Sequence, residues 1–194
     1  MTVKLGSKDA LIVVDVQNDF LPGGSLAVPS GRAVVPVLNR YISIFAARGL
    51  PVFATRDWHP PDHCSFKQQG GPWPPHCIAG TAGAAFAPEL ELPLEARVIS
   101  KAETPEADAY SGFQATDLND RLQTLGVERV FVGGLATDYC VMNTVKDARR
   151  LGYQTFLLDD AVRAVDVNPD DGSRAREAMV EVGAVPIRVS EIES

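Results

Sequence analysis

The chain has 194 residues, 45% of them hydrophobic, and its 25 acidic side chains outnumber 18 Lys and Arg for a formal net charge of -7. That size suffices to bury one core and disfavours two full domains, so a single domain over residues 1–194 is expected. The deficit of basic residues argues against a nucleic-acid partner, whose phosphates need Lys and Arg, and no apolar stretch is long enough to cross a bilayer as a helix.

In chain order, strand-length runs rich in β-branched residues fall at 10–16, 50–55, 97–101, 127–133, 153–158 and 185–189. Helical patterns lie between several of them: 32–48, with Val34, Val35, Leu38, Tyr41, Ile42 and Phe45 on one face, then 115–125, 138–151 and 172–182. Such alternation predicts an α/β fold, a three-layer α/β/α sandwich around a central, mostly parallel six-stranded sheet. Gly49, Gly126, Gly152 and Gly183 each stand between a helical pattern and the next strand, where a left-handed cap is expected.

One region breaks the rhythm. Residues 57–96 are rich in proline and hold both tryptophans and all three histidines. A long irregular insertion inside a compact domain is usually functional or disordered, and the tryptophans argue against disorder. The start of the chain lacks a signal-peptide pattern. The three cysteines, Cys64, Cys77 and Cys140, are too few and too odd in number for a disulfide framework. A cytoplasmic protein is expected.

In open parallel sheets the ligand sits beyond the carboxyl ends of the strands, which directs attention to Asp15, Asp57, Lys101 and the segment 133–140. Asp57-Trp-His59 leaves a strand, and His63, Cys64, Ser65, His76 and Cys77 follow closely. Three readings stand: an open site of Asp57, His59 and His76; a closed structural zinc site of His63, Cys64, His76 and Cys77; or surface histidines without metal. Cys140 follows a buried strand and a Gly133-Gly134 turn and falls in the first turn of a predicted helix. There the macrodipole and unpaired N–H groups favour thiolate, although a lone cysteine is as readily a small packing residue. Asp15 and Lys101 each end a predicted strand, and parallel strands place such ends in one crevice, as an acid–base pair for that thiol or as a turn cap and a solvated charge.

Taken together, Asp15-Val-Gln-Asn-Asp-Phe20, Arg56-Asp-Trp-His-Pro60, Gly71-Pro-Trp-Pro-Pro-His76, Lys101, Asp108-Ala-Tyr-Ser-Gly-Phe113 and Gly134-Leu-Ala-Thr-Asp-Tyr-Cys140 resemble the nicotinamidase/pyrazinamidase family of the isochorismatase-like cysteine hydrolases, over almost the whole chain. The resemblance implies a catalytic triad of Asp15, Lys101 and Cys140 and an oxyanion hole of the Ala136 and Cys140 amides beside a cis Leu135–Ala136 peptide. It implies one divalent metal ion, zinc with iron or manganese as alternatives, on Asp57, His59 and His76, with Ser65 as a further ligand or the holder of a metal-bound water. Phe20, Trp73 and Tyr110 match positions that enclose the substrate ring. The implied activity is hydrolysis of nicotinamide, and of pyrazinamide, to the acid and ammonia through a cysteine thioester, in NAD salvage, with no organic cofactor. A carbamoyl or ureido substrate on the same triad is the alternative. Small-molecule substrate is thus the expected partner, with neither nucleic acid nor membrane, and assembly with copies of itself stays open.

Overall fold

In the computed structural model, which describes residues 2–193, ten regular elements alternate along the chain. They are β1 (Asp9–Val14), α1 (Val34–Ala46), β2 (Val52–Asp57), β3 (Arg97–Lys101), α2 (Leu118–Thr124), β4 (Arg129–Leu135), α3 (Met142–Arg150), β5 (Gln154–Arg163), α4 (Asp171–Glu181) and β6 (Val185–Ile187). The strands form one six-stranded sheet in the order β3-β2-β1-β4-β5-β6, and every adjacent pair is parallel.

β1 shows why this sheet needs covering on both sides. Its side chains alternate between two hydrophobic clusters: Leu11 and Val13 pack with Leu38, Tyr41 and Phe45 of α1, whereas Ala10, Ile12 and Val14 pack with Leu118 and Leu122 of α2, Val145 of α3 and Met179 of α4. A strand buried on both faces reads as a continuous apolar run, because period two places both sets of side chains indoors. The three expected layers follow, with α1 on one face and α2, α3 and α4 on the other. Gly49, Gly126, Gly152 and Gly183 all have positive φ, between 65° and 94°, and let the chain turn from each helix into the next strand.

Of the strand ends that differ from the sequence expectation, two have a clear physical cause. β4 runs on to Leu135, so Gly133 and Gly134 lie inside the strand and form no turn. Gly134 has φ 130°, and a Cβ there would sit 2.1 Å from the Val14 carbonyl oxygen; glycine is required by the close approach of β1. β5 continues to Arg163 because its register against β4 shifts between Val132 and Gly134, after which Gly134 pairs with Val162 and Leu135 with Arg163. The charged pair Asp159-Asp160 hides this continuation from a reading by hydrophobicity. Between β2 and β3 the irregular segment has one short 3-10 turn, Lys67–Gln69, and isolated bridges join His59 to Ile78 and Phe66 to Trp73. Among the described residues, no helix is long and apolar enough to cross a membrane.

Candidate active site

The carboxyl ends of β1, β2, β3 and β4 are neighbours, and the functional candidates are gathered there. Asp15 follows the last residue of β1 with φ 48°. Asp57 ends β2 and stands in register with Lys101, which ends β3, so the two side chains leave the same face of the sheet. Cys140 sits in a π-helical turn, Thr137–Val141, that leads from β4 into α3. The Leu135–Ala136 peptide is cis, as the resemblance implies.

Lys101 is the hub. Its ammonium binds Asp57 Oδ1, donates to the Ala109 carbonyl at 3.1 Å, and lies 3.5 Å from Cys140 Sγ and 3.0 Å from Asp15 Oδ2. Burial opposes its charge, but Asp15 and Asp57 outweigh burial and hold Lys101 well above the usual lysine range. Asp57 shows the converse: burial works against its carboxylate, yet Lys101 and His59 hold it below the usual range. Asp15 Oδ1 accepts a hydrogen bond from the Thr55 hydroxyl at 2.6 Å. Its Oδ2 has no aligned donor among the described residues, since Lys101 approaches it off the hydrogen-bonding direction. Burial pushes the Asp15 carboxyl up against the pull of Lys101. This oxygen is therefore buried with no hydrogen-bond partner among the described residues, and Asp15, Asp57 and Cys140 present atoms within 4.8 Å of one another.

The resting state of Cys140 differs from the helix-dipole expectation. Burial pushes the thiol well above the usual cysteine range, Lys101 opposes this, and the two nearby carboxylates reinforce it. Desolvation of the buried sulfur outweighs the pull of Lys101, which favours the thiol and calls for a base.

Beside this cluster, ligand atoms of Asp57, His59 and His76 lie within 4.8 Å of one another. Hydrogen bonding sets the tautomers. His59 Nδ1 faces the Ala102 carbonyl at 3.2 Å and His76 Nδ1 the Pro74 carbonyl at 2.8 Å. A carbonyl only accepts, so each Nδ1 carries a proton, which leaves Nε2 as the nitrogen that can turn to a ligand. Two imidazoles with anchored outer nitrogens and one carboxylate suit a first-row divalent ion, and the donor chemistry fits one. His63 is not part of that group: its Nε2 faces the Ala107 carbonyl at 3.2 Å, and its Nδ1 accepts the Ser65 hydroxyl at 2.7 Å. Its ring stacks on His59 with centroids 4.1 Å apart. Neither Cys64 nor Cys77 joins the histidines in a ligand group among the described residues, so the closed four-ligand alternative is not assembled.

Both clusters open into one small pocket. The sequence-derived candidates Phe20, Trp73, Tyr110, Ser65 and Ala136 all line it with Asp57, His59, His76 and Cys140, while Asp15 and Lys101 lie buried behind the thiol. Trp73 Nε1 donates to the Tyr110 hydroxyl at 3.0 Å, and Tyr139 packs edge-on against Trp73 with centroids 5.0 Å apart. The sequence reading missed Leu26, Tyr139 and Val165 on the wall, and Thr55 behind it. Tyr139 was within reach, since it precedes Cys140; Val165 arrives from the loop after β5 and carries no local signal.

An isochorismatase-domain family model matches residues 9–191. A nicotinamidase of Escherichia coli (strain K12) is 41% identical, over 90% of this chain and 92% of that protein. The crystal structure of a pyrazinamidase of Pyrococcus horikoshii in complex with zinc superposes with a TM-score of 0.90 at 48% identity, covering 93% of this chain and 99% of that one. A structure from L. infantum in complex with nicotinate gives a TM-score of 0.91 at 39% identity, covering 100% and 99%.

Proposed function

Since the chain belongs to the nicotinamidase/pyrazinamidase family of isochorismatase-like hydrolases, we propose that it hydrolyses nicotinamide, and pyrazinamide, to the corresponding acid and ammonia. The observation that carries this reading is the opening of the Asp57, His59 and His76 cluster into the same aromatic-walled pocket as Cys140. On this reading one catalytic domain spans the chain, with the segment 57–96 as its metal-binding insertion, and the protein works in NAD salvage in the cytoplasm. Asp57, His59 and His76 would hold one divalent ion, zinc first among the candidates, with Ser65 at its edge; when bound, the ion supplies a Lewis-acid site for the pyridine nitrogen that orients the ring.

The chain's own groups then divide the chemistry. Asp15 Oδ2 takes the Cys140 proton, and Lys101 stabilises the thiolate at the moment it forms. The sulfur attacks the carboxamide carbon, and the carbonyl oxygen becomes anionic against the Ala136 and Cys140 amides. One such donor is worth about 2.7–4 kcal/mol in other hydrolases, so this hole is a large share of the expected rate. Asp15 returns its proton to the departing nitrogen, which leaves as ammonia. Water then attacks the thioester, its proton passes to Asp15, and the expelled Cys140 sulfur regains that proton. Phe20, Trp73 and Tyr110 hold the ring while this proceeds, and the Trp73–Tyr110 hydrogen bond keeps two of them together.

The test is ammonia release from nicotinamide by purified protein, before and after chelation and after adding back zinc, iron or manganese. Turnover lost on chelation and restored by an ion supports the reading. Folded protein that fails with every ion but cleaves a carbamoyl or ureido compound would replace it.

A further inference from the structure

The motif Asp15-Val-Gln-Asn-Asp-Phe20 supplies the proposed base and one wall of the ring pocket, which leaves three buried or half-buried polar residues, Gln17, Asn18 and Asp19, without a part in the chemistry. Asn18 donates to the Ala82 carbonyl at 2.8 Å, away from the proposed ligands, and Gln17 and Asp19 reach closer to them. Both are bound to backbone in the metal-bearing segments. Gln17 is fully buried; its Nε2 donates to the carbonyls of Asp57 at 2.8 Å and Ala84 at 2.9 Å, and its Oε1 accepts the Asp57 N–H at 2.8 Å. The pair of bonds to Asp57 is what a neighbouring strand would provide. It is needed because β1 ends at Val14, whose partner on β2 is Thr55, so Asp57 lies beyond the last β1 pairing. On its other side Asp57 is in register with Lys101 of β3. The Gln17 side chain thus closes the ladder around a residue whose carboxylate must hold a fixed direction.

Asp19 acts in the same way on the second segment. Its Oδ2 accepts the Cys77 N–H at 2.8 Å, while Oδ1 accepts the Ser25 N–H at 3.2 Å and hydroxyl at 3.1 Å. Cys77 has φ 45° and immediately follows His76. Gly83 leaves room for this carboxylate, since a Cβ there would sit 2.2 Å from Asp19 Oδ2.

We infer that Gln17 and Asp19 are positioning residues for the metal centre, Gln17 holding the main chain of Asp57 and Asp19 that of His76-Cys77, so that the turn after β1 aims the ligands as well as carrying the base. The inference rests on the metal reading proposed above. Partners outside the coordination sphere typically matter about 10–100-fold in metal affinity, because a ligand free to wander must be ordered at each binding event.

Zinc affinity by chelator competition and the visible spectrum of the cobalt(II) protein test it, on the intact chain as wild type, Gln17→Met, Asp19→Ala, Asp19→Asn and Tyr41→Phe. Tyr41 donates to Asp160 at 2.9 Å outside the pocket, and its variant reports how an unrelated loss of a hydrogen bond affects zinc. Expected are zinc affinities about 10–100-fold weaker for Gln17→Met and Asp19→Ala, with altered cobalt spectra. Asp19→Asn, which keeps one oxygen for the Cys77 amide, recovers part of the loss, and Tyr41→Phe matches wild type. Wild-type zinc affinity and cobalt spectra in both Gln17→Met and Asp19→Ala would overturn the inference alone, as would equal weakening in Tyr41→Phe. Wild-type protein that binds neither ion would overturn the metal reading and the inference together.

Discussion

Asp57 faces in two directions: its Oδ1 binds the Lys101 ammonium, and its Oδ2 lies 3.6 Å from His59 Nε2. One carboxylate thereby joins the cation beside Cys140 to the histidine cluster, and the nucleophile and the candidate metal centre share a wall. Substitutions on the two sides of that wall separate their roles.

Cys140→Ala removes the sulfur 3.5 Å from Lys101 and leaves Asp57, His59 and His76 in place. Ammonia release is expected to fall by roughly a thousandfold or more, while metal content by elemental analysis stays near wild type. Substantial residual turnover would remove Cys140 from the nucleophile's role.

His76→Ala takes one of three clustered ligands and leaves the Lys101 contacts with Asp57 and Cys140 intact. Metal affinity should drop by more than the roughly 10–100-fold that loss of an outer partner costs, and KM for nicotinamide should rise. Unchanged metal occupancy would contradict the three-ligand assignment.

Thr55→Val deletes the hydroxyl that donates to Asp15 Oδ1 at 2.6 Å and conserves its shape. That bond favours the carboxylate, and burial already pushes the Asp15 carboxyl up, so its removal raises Asp15 further. The acid limb of the kcat/KM profile therefore moves to higher pH. Stability at neutral pH should fall by about 1.5–3 kcal/mol, a loss that is full where Asp15 is ionised and shrinks as the pH falls through its folded-state value. A pH–rate profile that does not move would show that Asp15 does not set that limb.

Gly134→Ala places a methyl 2.1 Å from the Val14 carbonyl oxygen at φ 130°, whereas a Cβ at Gly133 meets the Leu158 side chain at 3.1 Å. Urea unfolding should show a loss of about 4 kcal/mol or more for Gly134→Ala and about 1–3 kcal/mol for Gly133→Ala, since a side chain can yield where backbone cannot. Equal effects would mean that β1 and β4 adjust more freely than their register implies.

Local sequence was enough to locate most elements, because the period of the apolar residues and the glycine at each helix end are properties of short segments. β3 was legible to the residue, Arg97–Lys101, and the chemistry-bearing positions Asp15, Asp57, Lys101 and Cys140 stood out as polar residues where buried strands stop. The strand order, by contrast, depends on pairings between distant segments. The continuation of β5 past Asp159-Asp160 depends on a register shift against β4 that no hydrophobic pattern records.

For the site, sequence by itself determined which groups are present: a thiol after a buried strand, an Asp-x-His pair, and a motif dense in Asp, Asn and Gln. Tertiary structure alone decided their states and directions. Whether Cys140 rests as thiol or thiolate turns on enclosure set against the distance to Lys101, and which oxygen of Asp57 meets the histidines turns on where β3 places that ammonium. Gln17 and Asp19 were visible as letters, but their bonds run to backbone 40 and 58 residues away. Hydrogen bonds and desolvation act over a few ångströms of space irrespective of separation along the chain, and only the fold supplies that proximity.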